Sequence, residues 1–155
     1  MAEAREFKPL KELGDISLGD ESVLKFYVDE FKGHKYGSIR TFVTGEKYSG
    51  PTKSGVTMNE RILSEAIPVL EKLAPVPASP EDVELGRWPK KMGVELVARV
   101  TFYKDAPGVD IREWMDGSDE TGYKGWSKKG VRIPYKDLPQ ALEYLRQMKA
   151  LVAKA

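Results

Sequence analysis

The nine residues Gly50–Met58 read Gly-Pro-Thr-Lys-Ser-Gly-Val-Thr-Met, and a related nine, Gly-Trp-Ser-Lys-Lys-Gly-Val-Arg-Ile, follow at Gly125–Ile133. Both begin with a glycine, place a lysine at the fourth position and another glycine at the sixth, and end in an apolar residue. Glycines punctuating a short run of this kind are typical of turns and bulges between strands. The match therefore predicts that one β-structured segment occurs twice in the chain.

The duplication extends upstream of this segment. Phe31-Lys32 is followed eight residues later by Ile39-Arg40, and the same spacing recurs 72 positions on, at Tyr103-Lys104 and Ile111-Arg112. The offset rises to 75 for the glycine-containing segments, so the second copy has three extra residues in the turn between. Several matches in the same order indicate an internal repeat.

Within each copy the apolar residues first alternate and then change period. Leu96–Tyr103 and Leu24–Asp29 alternate apolar and polar positions, which predicts half-buried strands. Apolar residues then recur with helical spacing at Ile62–Leu73 and Leu138–Met148. Asn59 and Asp137 are expected to cap these helices, Pro139 to lie in the first turn of the second, and Pro68 to kink the first or start a second segment.

These patterns predict an α+β protein of two tandem ββββα units, each a curved four-stranded antiparallel sheet plus a C-terminal helix. The expected boundaries are an N-terminal arm at residues 1–21, a first repeat at 22–73, a Pro-rich linker at 74–93 and a second repeat at 94–155. A single unit of this size buries too little surface to be stable alone. We therefore expect the two units of one chain to pack together as a pseudo-dimer, so that a single chain is a monomer. Whether such monomers associate further stays open.

Composition excludes several classes of function. The chain has one histidine and no cysteine, which argues against zinc sites and thiol chemistry, and no hydrolase motif is present. We therefore expect neither an enzyme nor a cofactor. The charged N-terminus and the lack of a long apolar run favour a cytoplasmic protein without membrane contacts, nucleoid-associated if the source is bacterial. The net charge is only +1, so a nucleic-acid-binding face would need local segregation of charge.

Arranged in this order, the motifs resemble the positive cofactor 4 family, also called p15 or Sub1 transcriptional coactivators. The resemblance rests on Phe31-Lys32-Gly33, Ile39-Arg40 and Pro51–Val56 in the first copy. In the second copy it rests on Tyr103-Lys104, Ile111–Trp114 and Lys128–Val131. It covers about residues 22–73 and 94–148 and implies a fold similar in design to Whirly and kinetoplast guide-RNA-binding proteins.

The resemblance implies single-stranded DNA binding on the sheet surfaces. By position it implies contacts from Phe31, Lys32, His34, Arg40 and Lys53, with Tyr103, Lys104, Arg112 and Lys128 as counterparts. The wider candidate set adds basic and aromatic residues of the same segments: Lys35, Phe42, Lys47, Trp114, Trp126 and Lys129.

These residue types suit an unpaired strand for general reasons. Aromatic rings stack on any base, and Lys and Arg neutralise phosphates. Arg40 with Phe42, and Arg112 with Trp114, alternate onto one face, whereas Lys53, Lys128 and Lys129 are expected in hairpins. Little in the chain suggests reading of base edges, so we expect weak sequence preference.

Several alternatives stay open at this level. Arg40 and Arg112 either contact phosphate or form salt bridges with neighbouring carboxylates. The aromatic residues either stack on bases or are core or interface residues, which applies to Phe31, Phe42, Tyr103 and Trp114; Trp126 either stacks or packs on its turn. Lys128-Lys129 is either a phosphate contact or an ordinary solvated turn. Two departures from the family, Lys104–Gly108 in place of Lys-Gly and the acidic turn Asp116–Glu120, suggest that the two copies bind unequally. Besides single-stranded DNA binding, two other functions stay open. The same fold could bind RNA, or the chain could be a protein-interaction module that has lost nucleic-acid binding. Transcription or replication proteins are candidate partners.

Overall fold

The two repeats fold into two copies of one ββββα unit. The computed structural model describes residues 9–19, 21–46, 49–74, 76–77, 80–116 and 124–153. The first unit contains β1 (Lys11–Ser17), β2 (Ser22–Phe31), β3 (His34–Thr44), β4 (Ser49–Met58) and α1 (Glu60–Glu71). The second contains β5 (Val83–Lys91), β6 (Val94–Tyr103), β7 (Ala106–Asp116), β8 (Lys124–Pro134), a 3-10 turn (Tyr135–Asp137) and α2 (Leu138–Val152).

Each unit has one antiparallel sheet with its strands in chain order, β1-β2-β3-β4 and β5-β6-β7-β8. The sheets are equivalent in detail. Both first strands change register at a bulge, between Glu12 and Gly14 and between Glu84 and Gly86, again 72 positions apart. The predicted tandem ββββα architecture is therefore confirmed, and the repeat extends further towards the N-terminus than its sequence motifs do.

The structure differs from the expected boundaries at two places. β1 lies in the segment expected to be an arm, and β5 lies in the segment expected to be a linker. Both are edge strands that pair with one neighbour only, and each carries a glycine at its bulge. Apolar and polar residues alternate only weakly in these two strands, so the sequence does not predict them. They are strands because of their hydrogen bonds to β2 and β6, and not because one face of each is buried.

The hairpins β2–β3 and β6–β7 have the same two-residue turn, although their turn sequences differ. Lys32 and Gly33 have φ of 52° and 80°, and Lys104 and Asp105 have φ of 49° and 66°. Two successive positive φ values are typical of the tight turn that matches strand twist, where glycine and aspartate are both tolerated. Asp105 therefore replaces Gly33 of the first copy without changing the backbone conformation of the turn.

The helices begin and end close to their predicted limits. The Asn59 side chain accepts a hydrogen bond from the Ile62 amide at 2.8 Å, which confirms the predicted N-cap of α1. Pro68 lies inside α1, which continues as one helix to Glu71 instead of starting a second segment. Asp137 precedes α2 but makes no side-chain capping bond, so that expectation was wrong.

The two units exchange helices. Tyr144 of α2 lies against Phe26 of the first sheet, with ring centroids 5.0 Å apart, and Arg61 of α1 donates to the Pro89 carbonyl of β5 at 2.6 Å. One core joins both units, with Leu24, Ile39, Leu96 and Ile133 all fully buried in it. Helix α2 thus covers the first unit's sheet, whereas α1 contacts β5 at the edge of the second sheet and packs on α2. The pseudo-dimer is a single packed body. Among the described helices, none is both long and apolar enough to cross a membrane.

Candidate nucleic-acid interface

Each sheet has a second face that points away from the shared core and the helices. Leu24 and Phe26 face the core, so the alternate residues of β2, from Val23 to Phe31, belong to this second face. Their cross-strand partners share it, including the pairs Lys25–Arg40 and Phe31–His34. We call these surfaces the open faces; the predicted basic and aromatic residues of the central strands lie on them.

Arg40 lies on the first open face, where protein oxygens accept its hydrogen bonds. Its Nε donates to the Tyr27 hydroxyl at 3.3 Å and its Nη1 donates to the Thr52 carbonyl at 2.7 Å. The guanidinium lies over Gly55, where a Cβ would come within 2.8 Å of its Cζ. No acidic side chain in the described part of the chain pairs with Arg40, so its positive charge remains uncompensated.

Arg112, the counterpart of Arg40, has a different environment. Its Nη2 donates to the Asp110 carboxylate at 3.2 Å and its Nη1 to the Ser127 carbonyl at 3.2 Å. Asp110 is buried and also accepts from Arg99 at 3.1 Å. The first unit has Ser38 at the position of Asp110. The salt-bridge alternative therefore applies to Arg112 and not to Arg40.

A cleft of about 870 Å³ opens where the two units meet, between β4 of the first sheet and β8 of the second. Six basic side chains and one carboxylate line it. Five of the predicted residues come together here: Arg40, Lys53, Trp126, Lys128 and Lys129. The sequence motifs could place each of these on its own unit, but only the packing of the units brings them to one cavity.

Two further lysines of the cleft were not predicted. Lys90 and Lys91 reach it from β5, within the segment expected to be a linker. The Lys90 ammonium bridges the units, because it contacts Glu113 at 2.8 Å and the Thr57 hydroxyl at 3.1 Å. Gly14 and Gly86 are also 72 residues apart. Including this pair in the repeat would have placed the segment with Lys90 and Lys91 in a strand of the second unit.

The lysines that line the cleft differ in whether a carboxylate of the protein already pairs with them. Lys90 neutralises Glu113, the carboxylate of the lining. Lys53, Lys91, Lys128 and Lys129 are exposed, and their ammonium groups contact no carboxylate within the described ranges. Together with Arg40 they form a local cluster of positive charge on a chain whose net charge is only +1.

Trp126 forms an aromatic wall of this cleft. The Arg99 guanidinium lies over its ring at 4.1 Å, and Trp114 packs against it edge to face at 4.8 Å. Arg87 lies near the Trp114 ring, and its hydrogen bond to Glu84 raises its pKa. Both tryptophans are half-buried: each packs against the other ring, and Trp126 also lines the cleft.

The remaining candidates lie outside the cleft. Phe31 and Tyr103 are each 65% exposed at equivalent hairpin tips, with Lys32 and Lys104 beside their rings. Near the first tip, the His34 ring lies 6.4 Å from Tyr36, and Lys35 is half-buried.

Phe42 is only 7% exposed, with the Lys25 ammonium 5.3 Å from its ring. It therefore offers no open ring for stacking in this conformation. Lys47 lies outside the described residues.

No protein-family model matches the chain, and no curated protein matches its sequence. The structure is similar to a crystal structure of WHY3 from Arabidopsis thaliana, with a TM-score of 0.48 and 8% sequence identity. The likeness covers 96% of this chain and 92% of WHY3. At that distance the likeness shows nothing about function, and membership of the positive cofactor 4 family stays a prediction.

Proposed function

We propose that this chain is a non-enzymatic, single-stranded DNA-binding protein with little sequence preference. The observation that carries the proposal is the inter-unit cleft, whose lining combines Trp126 and Arg40 with four lysines that contact no carboxylate in the described part of the chain. Positive charges along a groove neutralise phosphates, and an aromatic wall stacks on bases, which only an unpaired strand exposes. Such binding suits processes that separate DNA strands, namely transcription, replication or recombination, and proteins of those processes are the proposed partners.

The same geometry supports weak sequence preference. The charged groups available in the cleft are lysines, which act as point charges on phosphates, whereas base-edge reading usually needs bidentate side chains held in place. Arg40 is the exception, but two of its nitrogens already bind protein oxygens. Affinity should therefore depend on charge and stacking more than on base identity.

The test is fluorescence anisotropy with a labelled dT oligomer between about 50 and 200 mM salt. We expect binding that weakens steeply with salt. The Lys53→Ala/Lys128→Ala/Lys129→Ala variant should lower the slope of log K against log salt by about 2, from about 0.7 per lost phosphate contact on a single strand.

The matched control removes three exposed lysines that do not line the cleft, Lys72, Lys136 and Lys149. It has the same net charge as the triple cleft variant and should bind like the wild type. Equal affinity for duplex and single strand, or equal losses in both triple variants, would refute the proposal. A matched rU oligomer bound more tightly than dT would replace DNA by RNA as the ligand.

A further inference from the structure

The turn between β5 and β6 carries an unusually exposed apolar side chain. Met92 is 98% exposed, although the residues on either side are fixed in the sheet. Lys91 pairs with Val94 across the turn, and Gly93, with φ of 79°, accepts a hydrogen bond from the Asp116 amide at 2.8 Å. The methionine therefore projects from an anchored hairpin.

This hairpin borders two depressions. On one side lies the inter-unit cleft with Trp126; on the other lies a second depression of about 330 Å³ with Trp114 in its wall. Lys91 and Val94 line both. Since the two tryptophan rings are in contact at 4.8 Å, the depressions are adjacent along one surface.

The fold does not require this arrangement. The first unit has Leu18-Gly19-Asp20-Glu21 at the positions of Lys90–Gly93, with neither a cation nor an exposed methionine. The basic, methionine-tipped turn thus belongs to the second unit alone, on the side where the cleft opens. A structural requirement of the sheet would apply to both units equally.

We infer that the β5–β6 turn is an additional nucleobase site, which extends the cleft into the Trp114 depression. This inference rests on the proposed function. A strand leaving the cleft passes Lys91, which neutralises a phosphate, and one base contacts the Met92 side chain. The next base lies against Trp114, in a depression whose wall includes Glu95 and Asp116. Glu95 and Asp116 are paired with Arg87 at 3.4 Å and Lys124 at 3.9 Å. Among the depression's lining residues in the described part of the chain, only Lys91 can neutralise a phosphate, whereas the Trp114 ring suits a base. Apolar side chains that separate neighbouring bases are an established mode of nucleic-acid binding.

The first experiment compares Met92→Ala with the wild type on dT oligomers of roughly 4 to 16 nucleotides, a range typical of single-strand sites. Short oligomers fill the cleft only and should bind both proteins equally. Longer oligomers should bind the variant about five-fold or more weakly, with an unchanged salt slope because no charge is lost. Leu10→Ala removes another exposed apolar side chain and is the matched control.

The second experiment uses the absence of cysteine from the chain. The single thiol of a Met92→Cys variant should be protected from alkylation by a long oligomer and not by a short one, and the thiol of Leu10→Cys by neither. Equal affinities of Met92→Ala and wild type at every length, with an unprotected thiol, would overturn this inference and leave the proposed function standing. Failure of the wild type to bind any oligomer would overturn both.

Discussion

Met148 of α2 lies directly over Gly37 of β3, so the helix of the second unit packs on the sheet of the first. A Cβ at Gly37 would lie 2.1 Å from the Met148 Sδ and 2.3 Å from its Cγ, closer than van der Waals contact permits. Gly14 is related to Tyr144 in the same way, at 2.2 Å. Two glycines of the first sheet thus leave room for the helix of the second unit.

Gly37→Ala should destabilise the protein by about 1–3 kcal/mol, the usual cost of overpacking a well-filled core. Urea unfolding measures the change. In a Met148→Ala background, which removes both clashing atoms, the same substitution should cost much less. Additive costs in this double-mutant cycle would show that the contact between the two residues is not the cause.

The exchange of helices predicts that the two units unfold together. Trp88, Trp114 and Trp126 are the three tryptophans of the chain, and all lie in the second unit. Leu24→Ala, in the core of the first unit, should cost about 2–5 kcal/mol. The tryptophan fluorescence and far-UV circular dichroism midpoints should then fall by the same amount. A fluorescence midpoint that stays at the wild-type value would mean that the units are independent.

Asp110 compensates two arginines on the second open face. The first face has Ser38 at that position, and Arg40 meets no carboxylate among the residues that the structure describes. Asp110→Ser copies the first unit and frees Arg99 and Arg112 for phosphate. We expect a steeper salt dependence of dT binding, by about 0.7 per new phosphate contact, with a stability loss of about 1–3 kcal/mol. Glu143→Gln, which removes an exposed negative charge on α2, is the control. An unchanged salt slope for Asp110→Ser would contradict this account of the two faces.

Tyr135 should make the stability depend on pH in the alkaline range. Burial raises the pKa of its phenol above the usual value near 10, and its hydroxyl donates to the Ala74 carbonyl. Below about pH 10 the phenol is protonated in both states, so it adds no pH dependence. At higher pH the unfolded chain loses the proton first, and stability falls until the folded-state pKa is passed.

Tyr135→Phe should therefore be less stable than the wild type at pH 8, by about 0.5–1.5 kcal/mol for the lost hydrogen bond. This difference should shrink as the pH rises above 10, because only the wild type has a phenol to ionise. Urea unfolding of both proteins at the two ends of this range measures it. A constant difference would mean that the phenol is not perturbed by folding.

Much of the fold was predictable because its signals are local. The alternation in Leu24–Asp29 and Leu96–Tyr103 and the helical stripes follow from which side chains must face a core. The Asn59 cap follows from the unpaired amides at the start of a helix, which need a side-chain acceptor. The repeat offset of 72 residues holds in the paired strands. The edge strands β1 and β5 were missed because their pairing with a neighbour, and not a buried face of their own, makes them strands.

By itself, then, the sequence determined the repeated ββββα unit and put Arg40, Lys53, Trp126, Lys128 and Lys129 among the candidate residues. Only the tertiary structure decided that the helices are exchanged, that Arg112 is neutralised where Arg40 is not, and that Lys90 and Lys91 join the cleft. The physical reason is that periodicity reports the environment of neighbouring residues, whereas the cleft is formed by strands far apart in the chain. Its shape and its uncompensated charge exist only once the two sheets are packed together.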